Sequence, residues 1–167
     1  MISYDKKFIF VHINKTAGTS MEKALADYGV KKLEEKNDLK FELNYNQSQH
    51  FNCDEYKKYL GSEYDDYFKF TVVRNPFDRL VAAYNNKIME IDDVPSPMKR
   101  MGLYHAMPFK EFIELVCKAD PAEMDNHIRP QAEILITDKK LVPKFVGRME
   151  HIDDHWNRLR NRMKLEE

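Results

Sequence analysis

The stretch FIFVHINKTAGTS, Phe8 to Ser20, sets a lysine, a glycine and three hydroxyl side chains directly after an apolar run. These residue types suit one task, holding an anion. Phe8-Ile9-Phe10-Val11 has the length and character of a buried strand, and Met21-Glu22-Lys23-Ala24-Leu25-Ala26 continues as a helix. A strand, a tight turn and a helix start leave backbone N–H groups unpaired and pointing at whatever sits there. Lys15 adds a mobile positive charge, and Thr16, Ala17, Gly18, Thr19 and Ser20 complete the loop. The plainer alternative is that Thr19 or Ser20 caps the helix while Lys15 is solvated. The loop is not a Walker A motif, G-x-x-x-x-G-K-[ST]. Thr19 stands where that motif has lysine, and Ile13 stands where it has its first glycine.

A second segment, FKFTVVRNPFDRLVAAYN, places Arg74 at the end of another apolar, strand-forming run, Phe68 to Val73. Open α/β sheets bind ligands at the carboxyl ends of their strands, and a guanidinium offers a planar fork of donors to phosphate. A salt bridge is the ordinary alternative for Arg74. For Arg79, a structural pair with an acidic neighbour is the stronger expectation.

Around these segments the chain alternates strands and helices. The pattern predicts a strand over 7–12 and a helix over 18–28, then a charged connection over 31–40. A short strand over 41–43 and a polar loop over 44–54 follow. A short helix precedes the 68–73 strand, and Pro76 opens the next helix, where position N1 tolerates a missing N–H. Phe77, Leu80, Val81 and Tyr84 recur at helical spacing and should bury one face. A proline-broken loop over 92–107, a helix from Pro108 to about Cys117, and a turn with a short helix over 125–136 come next. A strand over 141–146 and a terminal amphipathic helix over 150–164 close the chain. Alternation of this kind implies an α/β fold with a mostly parallel central sheet.

At 167 residues the length is that of one domain, spanning 1–167. A net charge of -1 excludes a general nucleic-acid binder, which carries a strong positive excess. The two cysteines, Cys53 and Cys117, match no metal or redox spacing and are expected as free thiols. No stretch approaches the roughly 18 apolar residues of a membrane span, so the expected location is cytoplasmic.

Together, HINKTAGTS and VVRNPFDRLVAAYN resemble the two nucleotide motifs of the sulfotransferases that use 3'-phosphoadenosine-5'-phosphosulfate (PAPS), closest to the carbohydrate-type branch. HIRPQAEIL at 127–135 and FVGRMEHIDDHW at 145–156 fit the same order. The resemblance implies a three-layer, P-loop-like fold with helices flanking the sheet. It assigns Lys15, Thr16, Ala17, Gly18, Thr19 and Ser20 to the 5'-phosphosulfate and Arg74 to the 3'-phosphate. Arg148 either reaches the nucleotide or pairs with Glu150. The chain departs from the family twice. The serine usual eight residues after the motif arginine is Ala82 here, which removes one donor to the 3'-phosphate. Family members also commonly continue past the G-R-x-E segment, whereas this chain stops at NRLRNRMKLEE. A compact member, a neighbour supplying the missing wall, or lost catalysis each fits that ending.

The implied reaction moves a sulfuryl group from PAPS to a hydroxyl acceptor, a saccharide or small alcohol, and leaves PAP. It calls for a base on the acceptor and positive charge on the leaving phosphate, without a metal. Lys15 suits the second role. Histidine suits the first because its pKa lies near neutrality. Of six histidines, His50 leads: HFNCDE matches the H-x-x-x-x-E form in which the family often carries its base, with Glu55 either supporting it or solvated. His127 comes second, beside Gln131, which can place a substrate hydroxyl. His12 is expected to be structural, His105 has little support, and His151 and His155 fall on a helix surface. Two other readings remain open, a non-catalytic nucleotide-binding protein and, further back, a P-loop-like kinase.

Overall fold

The structure, a computed structural model, describes residues 1–31, 33 and 45–165. Seven strands and seven helices are present among them. The strands are β1 (Ile2–Ser3), β2 (Phe8–Val11), β3 (Val30–Lys31), β4 (Phe68–Val73), β5 (Ile136–Thr137), β6 (Lys140–Leu141) and β7 (Phe145–Arg148). The helices are α1 (Gly18–Leu25), α2 (Cys53–Leu60), α3 (Pro76–Tyr84), α4 (Ser96–Arg100), α5 (Phe109–Lys118), α6 (Gln131–Leu135) and α7 (Ile152–Met163).

Five strands form the main sheet in the order β3-β1-β2-β4-β7. β2, β4 and β7 run parallel, with Val11 opposite Thr71 and Val73 opposite Arg148. The two-residue strands β1 and β3 add antiparallel pairs at the other edge. The sheet is therefore mixed, and the expectation of a mostly parallel one is corrected. The reason is local: β1 is tied to β2 by the short turn between Ser3 and Phe8, and such a turn can only reverse the chain.

Strand pleating distributes β2 between two cores. Phe8 and Phe10 pack with Phe70, Met21, Leu25 and Leu159, beneath α1 and α7. Ile9 and Val11 pack with Tyr56, Tyr59 and Leu60, beneath α2. Helices thus cover both faces of the sheet. Tyr64 and Tyr67 of the aromatic segment before β4 belong to the second of these cores. A third cluster, built from Ala83, Ile88, Met98, Met107 and Phe112, holds α3, α4 and α5 together.

Several local expectations hold and others shift. Asn52 and Glu55 form a reciprocal capping box that starts α2, which is the role Glu55 takes. Pro76 stands in the first turn of α3, with the Asn75 side chain accepting from Phe77 N–H. The buried face of α3 is not the predicted one. Phe77 and Val81 are 79% and 43% exposed, while Arg79 and Ala83 are buried. Helical spacing put Phe77 and Val81 inside because both are apolar, yet the three carbonyls that Arg79 must reach fix the opposite rotation. The strand expected over 141–146 is two: β6, paired with β5 in a small hairpin, and β7 in the main sheet. The loop expected over 92–107 contains α4. Residues 45–50 of the polar loop wind into a 3-10 turn. The connection over 31–40 falls almost wholly outside the described residues, and the strand over 41–43 entirely so.

Candidate active site

The parallel strands deliver three loops to one edge of the sheet. The segment after β2 runs from His12 to Ala17, and its backbone enters the left-handed region at Lys15 and Ala17, with φ of 65° and 64°. Non-glycine residues rarely sit there. Alternating left- and right-handed residues turn successive N–H groups to one side, an anion-holding concavity, and α1 begins directly behind it. Thr16 is fully buried and its hydroxyl donates to the Ile13 carbonyl at 2.8 Å, so this side chain closes the turn. Its assignment to the ligand is corrected to that extent. Thr19 and Ser20 are exposed and, with Lys15, Ala17 and Gly18, line a cavity of about 360 Å³.

Gly18 has a second reason for its type. A Cβ built there would lie 1.6 Å from His12 Nε2, because the His12 ring fills the space a side chain would need. That ring stacks on Phe10 and meets His50 edge-on, with centroids 4.5 Å apart in the second pair. Its Nδ1 lies 2.8 Å from Glu22. Burial lowers the His12 pKa to about 4, so the ring is neutral and donates from Nδ1 to the carboxylate. The structural role expected for His12 is the one observed.

Lys15 Nζ donates to Asn86 Oδ1 at 2.5 Å, and Asn86 Nδ2 donates to Glu90 at 3.0 Å. Burial, followed by the nearby Lys87 charge, lowers the Lys15 pKa. Asn86 belongs to a π-helical turn, Asn85–Met89, which follows α3. Such turns recur at functional sites. The next residue, Lys87, lines a second and larger cavity of about 1380 Å³.

Arg74 ends β4 as expected. Its Nη1 lies 3.4 Å from the Lys15 carbonyl, and its main chain is clasped at both ends by the Gln131 amide at 3.0 and 2.8 Å. Gln131 thus braces Arg74 from α6. Ala82 is half-buried on α3. Arg148 is exposed at the end of β7, and its N–H donates to His155 Nδ1 at 2.9 Å. Glu150 accepts from Asn75 N–H instead, so the Arg148–Glu150 pairing is not formed.

His50 and His127 meet in space across 77 residues of sequence. Both line both cavities, as do Asn14 and Gln49. Asn14 Nδ2 lies 3.0 Å from His127 Nε2 and 3.4 Å from His50 Nε2. His127 Nδ1 lies 2.7 Å from Asp125 Oδ1, and His50 Nδ1 lies 3.4 Å from the His12 carbonyl. Burial, then the neighbouring His12, lowers the His50 pKa to about 4. Burial raises the Asp125 carboxyl, but hydrogen bonds from the ring and main chain of His127 outweigh it and hold the group below its ordinary range. His105 lies elsewhere, bonded to the Ile91 carbonyl.

Three residues carry more of this geometry than sequence reasoning assigned. Arg79 is 4% exposed, and its guanidinium donates to the carbonyls of Asn14, Arg129 and Asn126 at 2.9, 2.8 and 2.8 Å. The expected acidic partner is replaced by main chain from two loops, which it holds in register. Asn14 is 5% exposed and joins the two histidines. Asp125 fixes His127, and there a local signal existed: an aspartate two residues ahead can accept both the N–H and the ring of the histidine, an Asx turn.

A β-strand, a left-handed loop and a helix, with a lysine at the mouth, define an α/β domain whose site suits an anionic group. The chain belongs to the sulfotransferase family, whose model matches residues 1–167. The reaction of that family is sulfuryl transfer to a hydroxyl-bearing acceptor. Comparison with curated proteins and with solved structures gave no match. Among the described residues no helix is long and apolar enough to cross a membrane.

Proposed function

We propose that the chain transfers a sulfuryl group from PAPS to a hydroxyl acceptor, a saccharide or small alcohol. The observation that carries this reading is the shared wall. A cavity lined by the Lys15 loop and a larger one adjoin at Asn14, His50 and His127. A donor in the first and an acceptor in the second would present sulfur and hydroxyl to each other across two imidazoles.

The main chain of Lys15 to Ser20 and the Lys15 ammonium would hold the 5'-phosphosulfate. Arg74, beside the Lys15 carbonyl, supplies charge for the 3'-phosphate, with Arg148 on the neighbouring strand end. As the bond from sulfur to the bridging oxygen breaks, charge collects on that oxygen, and the lysine stabilises it. The proton of the acceptor passes to one of the two histidines at the wall. The larger cavity has Lys87, Arg100 and Lys118 together with Ser96 and Asn126 in its lining and no aromatic ring beyond the two imidazoles. That lining favours a polar acceptor over an aryl one.

Calorimetry with PAP, AMP and ATP tests the donor site. PAP is expected to bind at least tenfold more tightly than AMP, and Arg74→Ala should erase most of that difference. Equal affinities, unchanged by Arg74→Ala, would refute the assignment. Binding of ATP only with Mg²⁺ would favour a kinase.

A further inference from the structure

The acceptor side holds two imidazoles, and their hydrogen bonds are not alike. Resting on the reading above, we infer that His127 takes the acceptor's proton, with Asp125 and Asn14 as its positioning residues, while His50 orients the acceptor.

The Asp125 carboxylate, 2.7 Å from Nδ1, requires a proton on that nitrogen. Nε2 is then a bare lone pair, and it faces the Asn14 amide, which donates from 3.0 Å. The tautomer is thus fixed from both ends. His50 has a main-chain carbonyl in the corresponding place, at 3.4 Å. A carbonyl orients a ring without offering a full negative charge to an imidazolium. An acceptor hydroxyl entering from the larger cavity displaces the Asn14 amide from His127 Nε2, and that amide retains a partner in His50 Nε2. Oxygen then forms its bond to sulfur as its proton moves to Nε2. The bond from sulfur to the phosphate oxygen breaks, and its electron pair stays on PAP beside Lys15. The imidazolium, held against Asp125, returns its proton to water.

The charged and titratable groups around the ring are few. His12 and His50 lie on the β2 and 45–50 side, Glu22 on α1, Lys87 on the π-helical turn and Asp125 on its own loop. Burial and the first two imidazoles disfavour a proton on His50, whose pKa lies near 4. Asp125 is the one carboxylate in hydrogen-bond contact with His127 among the described residues. The sequence alone favours His50; the hydrogen bonds favour His127.

The test combines ¹⁵N imidazole spectra with turnover of [³⁵S]PAPS, using water and a panel of methyl glycosides as acceptors. In the wild type His127 should carry its proton on Nδ1, and a proton on Nε2 instead would overturn the inference without any variant. Asp125→Asn should scramble that tautomer and cut turnover by about 10²-fold or more, with PAP affinity within threefold of wild type. Asp125→Glu should recover a large part of the rate. His127→Ala should lower kcat by about 10²–10⁴-fold, whereas His50→Ala should chiefly raise the KM for the acceptor. The reverse pattern for the two histidines, or full turnover in a folded Asp125→Asn protein, overturns the inference and leaves sulfuryl transfer standing. A wild type that binds PAP and turns over PAPS with no acceptor overturns both.

Discussion

Gly18→Ala is the sharpest test of how the anion loop is held. The added methyl would lie 1.6 Å from His12 Nε2 and 1.9 Å from Cδ2. Comfortable contact needs about 3.5 Å, so the ring or the helix start must move by about 2 Å. Backbone strain plays no part, since φ at this glycine is negative-region and ordinary. Retreat of the ring is opposed by the Phe10 stack, the His50 edge and the Glu22 hydrogen bond. Overpacking a dense site costs about 1–3 kcal/mol, and loss of the Glu22 contact adds about 0.5–1.5 kcal/mol. A loss of about 2–4 kcal/mol is therefore expected, a large share of the roughly 5–15 kcal/mol that holds a domain folded. With an m-value of about 2 kcal/mol/M, the urea midpoint should fall by about 1–2 M. The control is Gly18→Ala with His12→Ala. Removing the ring makes room for the methyl, so the double variant should be more stable than the sum of the single losses by about 1 kcal/mol or more. A neutral Gly18→Ala, or strict additivity in the cycle, would refute the reasoning.

Three further outcomes can be checked. His12 and His50 both titrate near 4 in the folded protein, below the unfolded value of about 6.5. The unfolded chain then binds more protons in that interval, so stability should be full above about pH 6.5 and fall by a few kcal/mol toward pH 4; urea midpoints at pH 7 and pH 5 that coincide would contradict it. Arg79→Lys keeps the charge but cannot span three carbonyls; it should cost about 2–4 kcal/mol by denaturation, and a loss below about 0.5 kcal/mol would show the loops are held otherwise. Lys15→Ala should leave the unfolding midpoint nearly unchanged, because the side chain is partly exposed, and lower PAPS turnover by about 10²-fold or more; an unchanged kcat/KM with a working acceptor would remove the lysine from the reaction.

How much of this was legible in the sequence depended on distance along the chain. The β2 strand, its loop, the β4 strand and the Asn75-Pro76 start of α3 rest on local chemistry, and each stands where the residues implied. His50 and His127 were separately visible as histidines in polar segments, but nothing local announces that they meet. Asn14 joins them through contacts 36 and 113 residues away, and Arg79 reaches back 65 residues to Asn14. Periodicity misread α3 for the same reason: it ranks Phe77 and Val81 by polarity, whereas the helix is oriented by an arginine with distant main-chain partners. The mixed sheet escaped because two-residue strands are too short to show alternation.

The π-helical turn at Asn85–Met89 has a consequence for sequence length. In it Glu90 N–H bonds to the carbonyl five residues back, at 3.0 Å, so the turn holds one residue more than an α-helical turn would. Asn86 reaches Lys15 and its neighbour Lys87 borders the larger cavity, so one short segment serves both compartments. Excising a single residue here would restore α-helical winding and swing whatever follows through about 100°. Substitutions in this segment can be gradual in their effect, but an insertion or deletion cannot. The spacing from Arg74 to Asn86 is therefore a fixed count rather than an adjustable linker, and a chain that altered it would have to hold its lysine by other means.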